Sequence, residues 1–288
     1  MAMTAIQQEK WASTIDAFLE TMTVAMQICD TDLVLEGADK WHIVVPSDVS
    51  TFSVSDASDI TYSETTDADQ SVTKNFDKGF ALMILDTNKM QSGSGNWEQK
   101  YAENGAYQLG ADLDTAVLGD HANAGNNYDN AGTDWQFTKT TCAEVPAFMA
   151  GLLKVLRDQK VDALGMPYAV GPTGFGEAIQ TYTGGRATDF GDQVLLSGGQ
   201  RAFTYSGFRI FISNNTTTVS TTDHGIGGIL GYGFALGKYV KPQEIELVGR
   251  AEGRYADLIR GRVAAGYKIY RSASVVDIEF NSTVVATS

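Results

Sequence analysis

His42, His121 and His224 are the only histidines of the chain, and Cys29 and Cys142 its only cysteines. Nucleophilic, proton-transfer or soft-metal chemistry would have to start from these five side chains. Their spacing gives it no foothold. No histidine lies in an HExxH helix, beside a CxxC pair or near a GxSxG elbow, the patterns that hold two ligands on one ion or a nucleophile against its base. His224 precedes Gly225 and reads as a turn residue. The cysteines stand far apart and read as reduced, structural thiols.

Carboxylates and glycines fare no better. Asp112 and Asp114 are two residues apart on an expected helix, hence on different faces, and cannot share one ligand in acid–base work. Gly171-Pro172-Thr173-Gly174-Phe175-Gly176 lacks the Lys-Ser/Thr pair that holds phosphate and magnesium, and reads as a turn-forming loop. Between Asp120 and Thr141 the Asn, Asp and Gly content invites comparison with a calcium loop. However, Asn127, Asp129 and Gly132 do not keep the register and no glutamate closes it. The sequence predicts no catalytic residue, no cofactor and no metal, hence a protein that is not an enzyme.

The elements carry a stronger signal. From Gly93 to Gly119, the residues Trp97, Tyr101, Ala102, Ala106, Leu109, Leu113, Ala116 and Val117 recur at helical steps, with Glu98, Gln99, Lys100, Glu103, Asp112 and Asp114 between them. Asn96 and Gln99 form a capping-box pair, and Gly119 offers a left-handed stop. Gly105 and Gly110 cost the helix about 1 kcal/mol each, so it needs tertiary packing and suits close approach by another backbone.

Around this helix the chain is read in order. Gln8–Cys29 is an amphipathic helix through Trp11, Ile15, Phe18, Leu19, Met22 and Met26. Trp41–Pro46 is a short strand, Ser47–Ala68 a polar acidic excursion, and Ser71–Leu85 the strands of a returning arm. Cys142–Gln159 is a second helix and Met166–Pro172 a buried strand. Phe208–Ser213, Gly231–Val240 and Val275–Phe280 are further strands, while 120–141 and 181–199 read as loops.

Charge divides the chain. Residues 1–140 hold 22 acids and 7 bases, and residues 141–288 hold 13 acids and 14 bases, within a net charge of −14. Ser47–Asp69 contains Asp48, Asp56, Asp59, Glu64, Asp67 and Asp69 without a single base, whereas Lys238–Arg271 carries eight bases against four acids. Separate acidic and basic stretches suggest contact between copies of the chain. No apolar run reaches the length of a membrane span. Met1–Lys10 does not read as a secretory signal, so the chain is expected to stay in the cytoplasm where it is made.

Arg254-Tyr255-Ala256-Asp257-Leu258-Ile259-Arg260-Gly261, followed by Ala265-Gly266-Tyr267-Lys268-Ile269 and an apolar strand to Phe280, resembles the C-terminal part of tailed-phage major capsid proteins of the Hong Kong ninety-seven fold. Ser206–Asn215 is similar to that family's segment in which a Gly-aromatic-x-Val/Ile strand ends in Ser-Asn-Asn. The order of the other elements fits as well. The resemblance implies an α+β fold with an N-terminal arm over 1–38 and an extended β-hairpin loop over 39–85. A peripheral domain with a long spine helix would cover 86–141 and 238–288, and an axial domain 142–237.

It further implies a coat protein that self-assembles through hexamers and pentamers into an icosahedral head. The head would enclose double-stranded DNA without specific binding, with no role for a membrane. Assembly would take place in the host cytoplasm, with separate scaffolding and portal proteins and a place for cementing proteins. Because Met1 stands ten residues before Trp11, scaffolding is expected from another chain. Expected contact residues are Trp11, Phe18 and Met22 on the arm, Asp56, Asp59, Glu64 and Asp67 on the acidic loop, Trp97 and Tyr101 on the spine, and Arg250, Arg254, Arg260 and Arg262 on the basic segment. An encapsulin-type nanocompartment shell is the alternative within the same fold. A bacterial surface protein is a further one, favoured by the Asn/Gly/Thr-rich loops and disfavoured by the absence of a signal.

Overall fold

Helical periodicity beginning at Trp97 produces one uninterrupted α-helix, Trp97–Leu118, around which two β-sheets are arranged. The structure, a computed structural model, describes residues 23–31, 34–35, 40–45, 68–86, 97–184, 202–239, 245–248 and 255–285. In chain order these form α1 (Ala25–Ile28), β1 (Val34–Leu35), β2 (Lys40–Val45), β3 (Ala68–Thr73), β4 (Phe76–Leu85) and the long helix α2 (Trp97–Leu118). A 3₁₀ turn (Gly119–Asn123), β5 (Asn126–Tyr128), β6 (Trp135–Phe137), α3 (Val145–Asp158), β7 (Pro167–Gly171) and α4 (Thr173–Gly184) follow. The remainder is β8 (Ala202–Tyr205), β9 (Phe208–Ile212), β10 (Thr217–Val219), β11 (Thr222–Ile229), β12 (Phe234–Tyr239), β13 (Ile245–Val248), β14 (Ala256–Ile269) and β15 (Val275–Val285). No helix among the described residues is long and apolar enough to cross a membrane.

The first sheet is organised by β14. Its residues 256–265 pair with β4 along one edge, while the other edge takes β13 and then β12, with β1 beyond β12. The second sheet has the order β5-β15-β11-β7-β9-β8, with β10 on β11 and β6 on β15. β2 and β3 pair antiparallel from Lys40↔Thr73 to Val45↔Ala68 as a two-stranded arm.

One core joins the helix to both sheets. Ala106, Leu109, Leu113, Val117 and Leu118 of α2 cluster with Phe76, Ile84, Ile259 and Val263 of the first sheet, and with Val170, Phe211 and Ile226 of the second. Each fully buried leucine or valine contributes about 1.5–3 kcal/mol relative to exposure, which outweighs the cost of Gly105 and Gly110. A Cβ on Gly105 would lie 2.6 Å from the Phe80 ring. The close neighbour is therefore an aromatic side chain and not a second backbone. The second core packs Phe148, Met149 and Leu152 of α3 and Phe175 and Ile179 of α4 against Ile210, Ile229, Val276, Ile278 and Phe280.

Several elements differ from the sequence reading. Gly119 does not stop α2 with a left-handed residue, since the chain tightens directly into the 3₁₀ turn from Leu118 (φ −67°). Gly171–Gly176 is the entry to α4, not a loop. A Cβ on Gly174 would sit 2.9 Å from Val284 and one on Gly176 2.1 Å from Ile212, so these glycines let the helix lie on the sheet. The polar stretch 120–141 contains β5 and β6, because Tyr128, Trp135 and Phe137 pack on Phe148, with Trp135 and Phe148 centroids 5.0 Å apart. His224 lies within β11, opposite Glu279, and not in a turn. Within the basic segment Ala256–Ile269 is a single strand, in which Arg260 and Arg262 alternate with buried Ile259 and Val263. β4 belongs to the first sheet and not to the arm, and β15 pairs with β11 in the second sheet.

Candidate functional site

Strand periodicity puts Asp77, Ala81, Met83 and Leu85 on one face of β4, and cross-strand register sets Arg262 opposite Gly79, Arg260 opposite Ala81 and Leu258 opposite Met83. The other face turns Phe80 toward α2. The outward surface is thus charged at one end and apolar at the other. Arg262 makes a two-pronged contact with Asp77, donating Nε–H to Oδ1 at 2.6 Å and an Nη2 proton to Oδ2 at 2.5 Å, with Lys74 also against Asp77. The Arg262 fork, and after it Lys74, holds the Asp77 carboxyl well below the usual carboxylate range. Arg260 is exposed. At the apolar end Met83 is 45%, Leu85 39% and Tyr255 77% exposed.

Tyr101 and Tyr107 are exposed on α2, and Lys78 reaches Asp112 at 3.1 Å. The β2–β3 arm presents Val44, 61% exposed, and pairs His42 with Asp69 at 2.8 Å. Of the expected contact residues, Arg260, Arg262 and Tyr101 lie on exposed faces, and Trp97 opens α2. Arg262 is engaged within its own chain. Trp11, Phe18, Met22, Asp56, Asp59, Glu64, Asp67, Arg250 and Arg254, and the side chain of Trp97, lie outside the described residues.

Two interior features went unread in the sequence. Asp114 is buried and not on the polar face, and its carboxylate accepts the backbone N–H groups of Val24 and Ala25 at 3.1 and 2.9 Å. A signal existed, because Asp114 stands four residues from both Gly110 and Leu118 on the buried stripe. Burial, reinforced by Asp114, pushes the neighbouring Cys29 thiol well up, and burial raises Cys142 too, so neither is a reactive thiolate.

The second feature joins His121, His224 and Asp277. His121 sits in the 3₁₀ turn, which is pinned to the first sheet by Ile269 N–H donating to Asp120, while Gly125 just beyond it donates its N–H to Ser272 O in the turn between β14 and β15. His224 and Asp277 are diagonal neighbours across β11 and β15. The rings stack at 4.0 Å and 16°, and both Nδ1 atoms face Asp277 Oδ2, at 3.2 Å from His121 and 3.0 Å from His224. Their sequence separation hides them from any short motif.

The chain matches no protein-family model and no curated protein sequence. Among solved structures it is similar to a chain of Mycobacterium phage Che8, at a TM-score of 0.66 and 19% identity over 89% of this chain and 92% of that one. It is similar to the mature capsid of bacteriophage PhiM1, at 0.62 and 11% identity over 90% and 87%. The virus-like particle from Pyrococcus furiosus also matches, at 0.58 and 9% identity over 94% and 99%. The fold is the α+β capsid fold of the Hong Kong ninety-seven type.

Proposed function

We propose that this chain is a major capsid protein that assembles with copies of itself into a closed icosahedral shell around double-stranded DNA. The observation that carries this reading is the agreement with capsid folds over 89% of this chain and 92% of the Che8 chain, and over 90% and 87% for the PhiM1 capsid. The outward face of β4 and β14 supports it, with an apolar end at Met83, Leu85 and Tyr255 beside Arg260 and Arg262. A shell subunit binds itself many times, so modest contacts spread over several copies suffice. The role is structural and not catalytic.

In this reading residues 1–38 are an arm, the stretch between β2 and β3 is a loop that overlaps a neighbour, the first sheet with the long helix belongs to the peripheral domain, and the second sheet to the axial domain. Acids between Asp56 and Asp69 face bases of Arg250–Lys268 on the next copy, and the arm from Trp11 packs under a neighbour's long helix as far as Met22, since Val24–Met26 lies in the core of its own chain against Asp114. The protein is a component of the virion, assembled in the host cytoplasm with separate scaffolding and portal proteins. Particles isolated from producing cells and treated with nuclease test the genome assignment. Protected double-stranded DNA is expected. A shell that encloses an enzyme and no DNA would assign the chain to a nanocompartment.

A further inference from the structure

We infer that His121, His224 and Asp277 form a binding site for one divalent first-row transition-metal ion, zinc best of all. Two imidazoles and one carboxylate supply a borderline N₂O donor set suited to zinc and its neighbours and poor for magnesium or calcium. The donor atoms lie within 4.8 Å of one another. Tetrahedral ligands at about 2.0–2.1 Å from a metal stand roughly 3.3 Å apart, and the two Nδ1–Oδ2 separations are 3.2 and 3.0 Å. Loading therefore asks for little change in separation. It does require the stacked rings to turn about their Cβ–Cγ bonds so that the two Nδ1 lone pairs converge, with the proton of each neutral imidazole residing on Nε2.

The surroundings favour a single ion over a surface adduct. All three side chains are mostly buried, His121 at 10%, His224 at 12% and Asp277 at 13% side-chain exposure, which leaves a narrow opening for a water as fourth ligand. Each donor comes from a separately anchored element, so the three residues are gathered before the ion arrives and only the two rings have to turn. A bound ion would tie the end of α2 to β11 and β15, stapling the helix to the second sheet.

The test uses the full chain, stripped with a chelator and titrated with Zn²⁺ alone against a chromophoric competitor, then with Co²⁺ alone. One Zn²⁺ per chain is expected, together with the intense visible absorption of tetrahedral Co²⁺. His121→Ala and His224→Ala should each weaken Zn²⁺ at least tenfold, while His42→Ala, at the exposed pair with Asp69, should leave it unchanged. Wild-type imidazole ¹⁵N shifts, needing no variant to fold, should move at two Nδ1 atoms on Zn²⁺ addition. Absence of stoichiometric Zn²⁺ and Co²⁺, or binding that survives in folded His121→Ala/His224→Ala or is lost with His42→Ala, would overturn the site.

Discussion

Asp114 accepts the backbone N–H of Ala25 at 2.9 Å inside the core, tying the segment that precedes β1 to the last turns of the long helix. Val24 donates to the same carboxylate at 3.1 Å. Removing the acceptor strands two buried donors, and a buried unsatisfied group costs about 1–3 kcal/mol. Asp114→Ala should destabilise the subunit by roughly 2–4 kcal/mol, with Asp114→Asn losing less because one carbonyl oxygen remains. Chemical denaturation checks the size, and early proteolytic release of the segment ahead of residue 31 checks the cause.

Gly105 and Phe80 make a second coupled pair. A methyl at residue 105 would enter the Phe80 ring, and overpacking of this kind costs about 1–3 kcal/mol. That outweighs the gain of about 1 kcal/mol that alanine brings a helix interior. Gly105→Ala should therefore destabilise, and Gly105→Ala combined with Phe80→Leu should recover part of the loss. Additive effects in a double-mutant cycle would show that the two residues do not meet.

Acid should weaken the β4–β14 contact in a defined way. Asp77 has a folded pKa below its unfolded value because of Arg262 and then Lys74. Its contribution is complete above the unfolded value, near pH 4, and fades as pH falls through the lower folded one. Asp77→Asn should lower neutral stability slightly, the pair being exposed, and flatten the acid limb of the stability profile below about pH 4 by that same small amount. Stability profiles of the two proteins that run parallel below pH 4 would contradict the linkage.

The long helix was legible because Ala102, Ala106, Leu109, Leu113 and Val117 repeat at its period, and burial follows that stripe. The strand nature of Ala256–Ile269 was obscured by its arginines, although their alternation at Arg260 and Arg262 is itself a period-two signal. Gly174 and Gly176 misled because a glycine needed for packing and a glycine needed for a turn look alike in sequence. His224 was hidden by Gly225, which here serves close strand packing under Val170. The His121–His224–Asp277 grouping depends on β11 pairing with β15, a long-range register that no local pattern encodes. Arg260 and Arg262 are both exposed on β14, and the in-chain partner that Arg262 has in Asp77, 185 residues away, left no local signal.

Enclosure and binding of DNA are separable. The chain carries −14, and Lys238–Arg271 holds eight bases against four acids. About four net positive charges lose well over tenfold in affinity between roughly 50 and 200 mM salt. The free subunit should show no stable complex with double-stranded DNA near physiological salt in a gel-shift. Submicromolar binding there would point instead to a genome-coating protein.

Electron microscopy of particles formed by this chain, expressed with its scaffolding partner if one is needed, bears most directly on whether it builds a shell. Closed icosahedral particles are expected, with the outward face of β4 and β14 in contact between copies, and with Arg260→Glu yielding folded subunits that do not close, since like charges at an interface cost several kcal/mol. A chain that stays monomeric with and without that partner, or that forms only open aggregates, would contradict the capsid assignment.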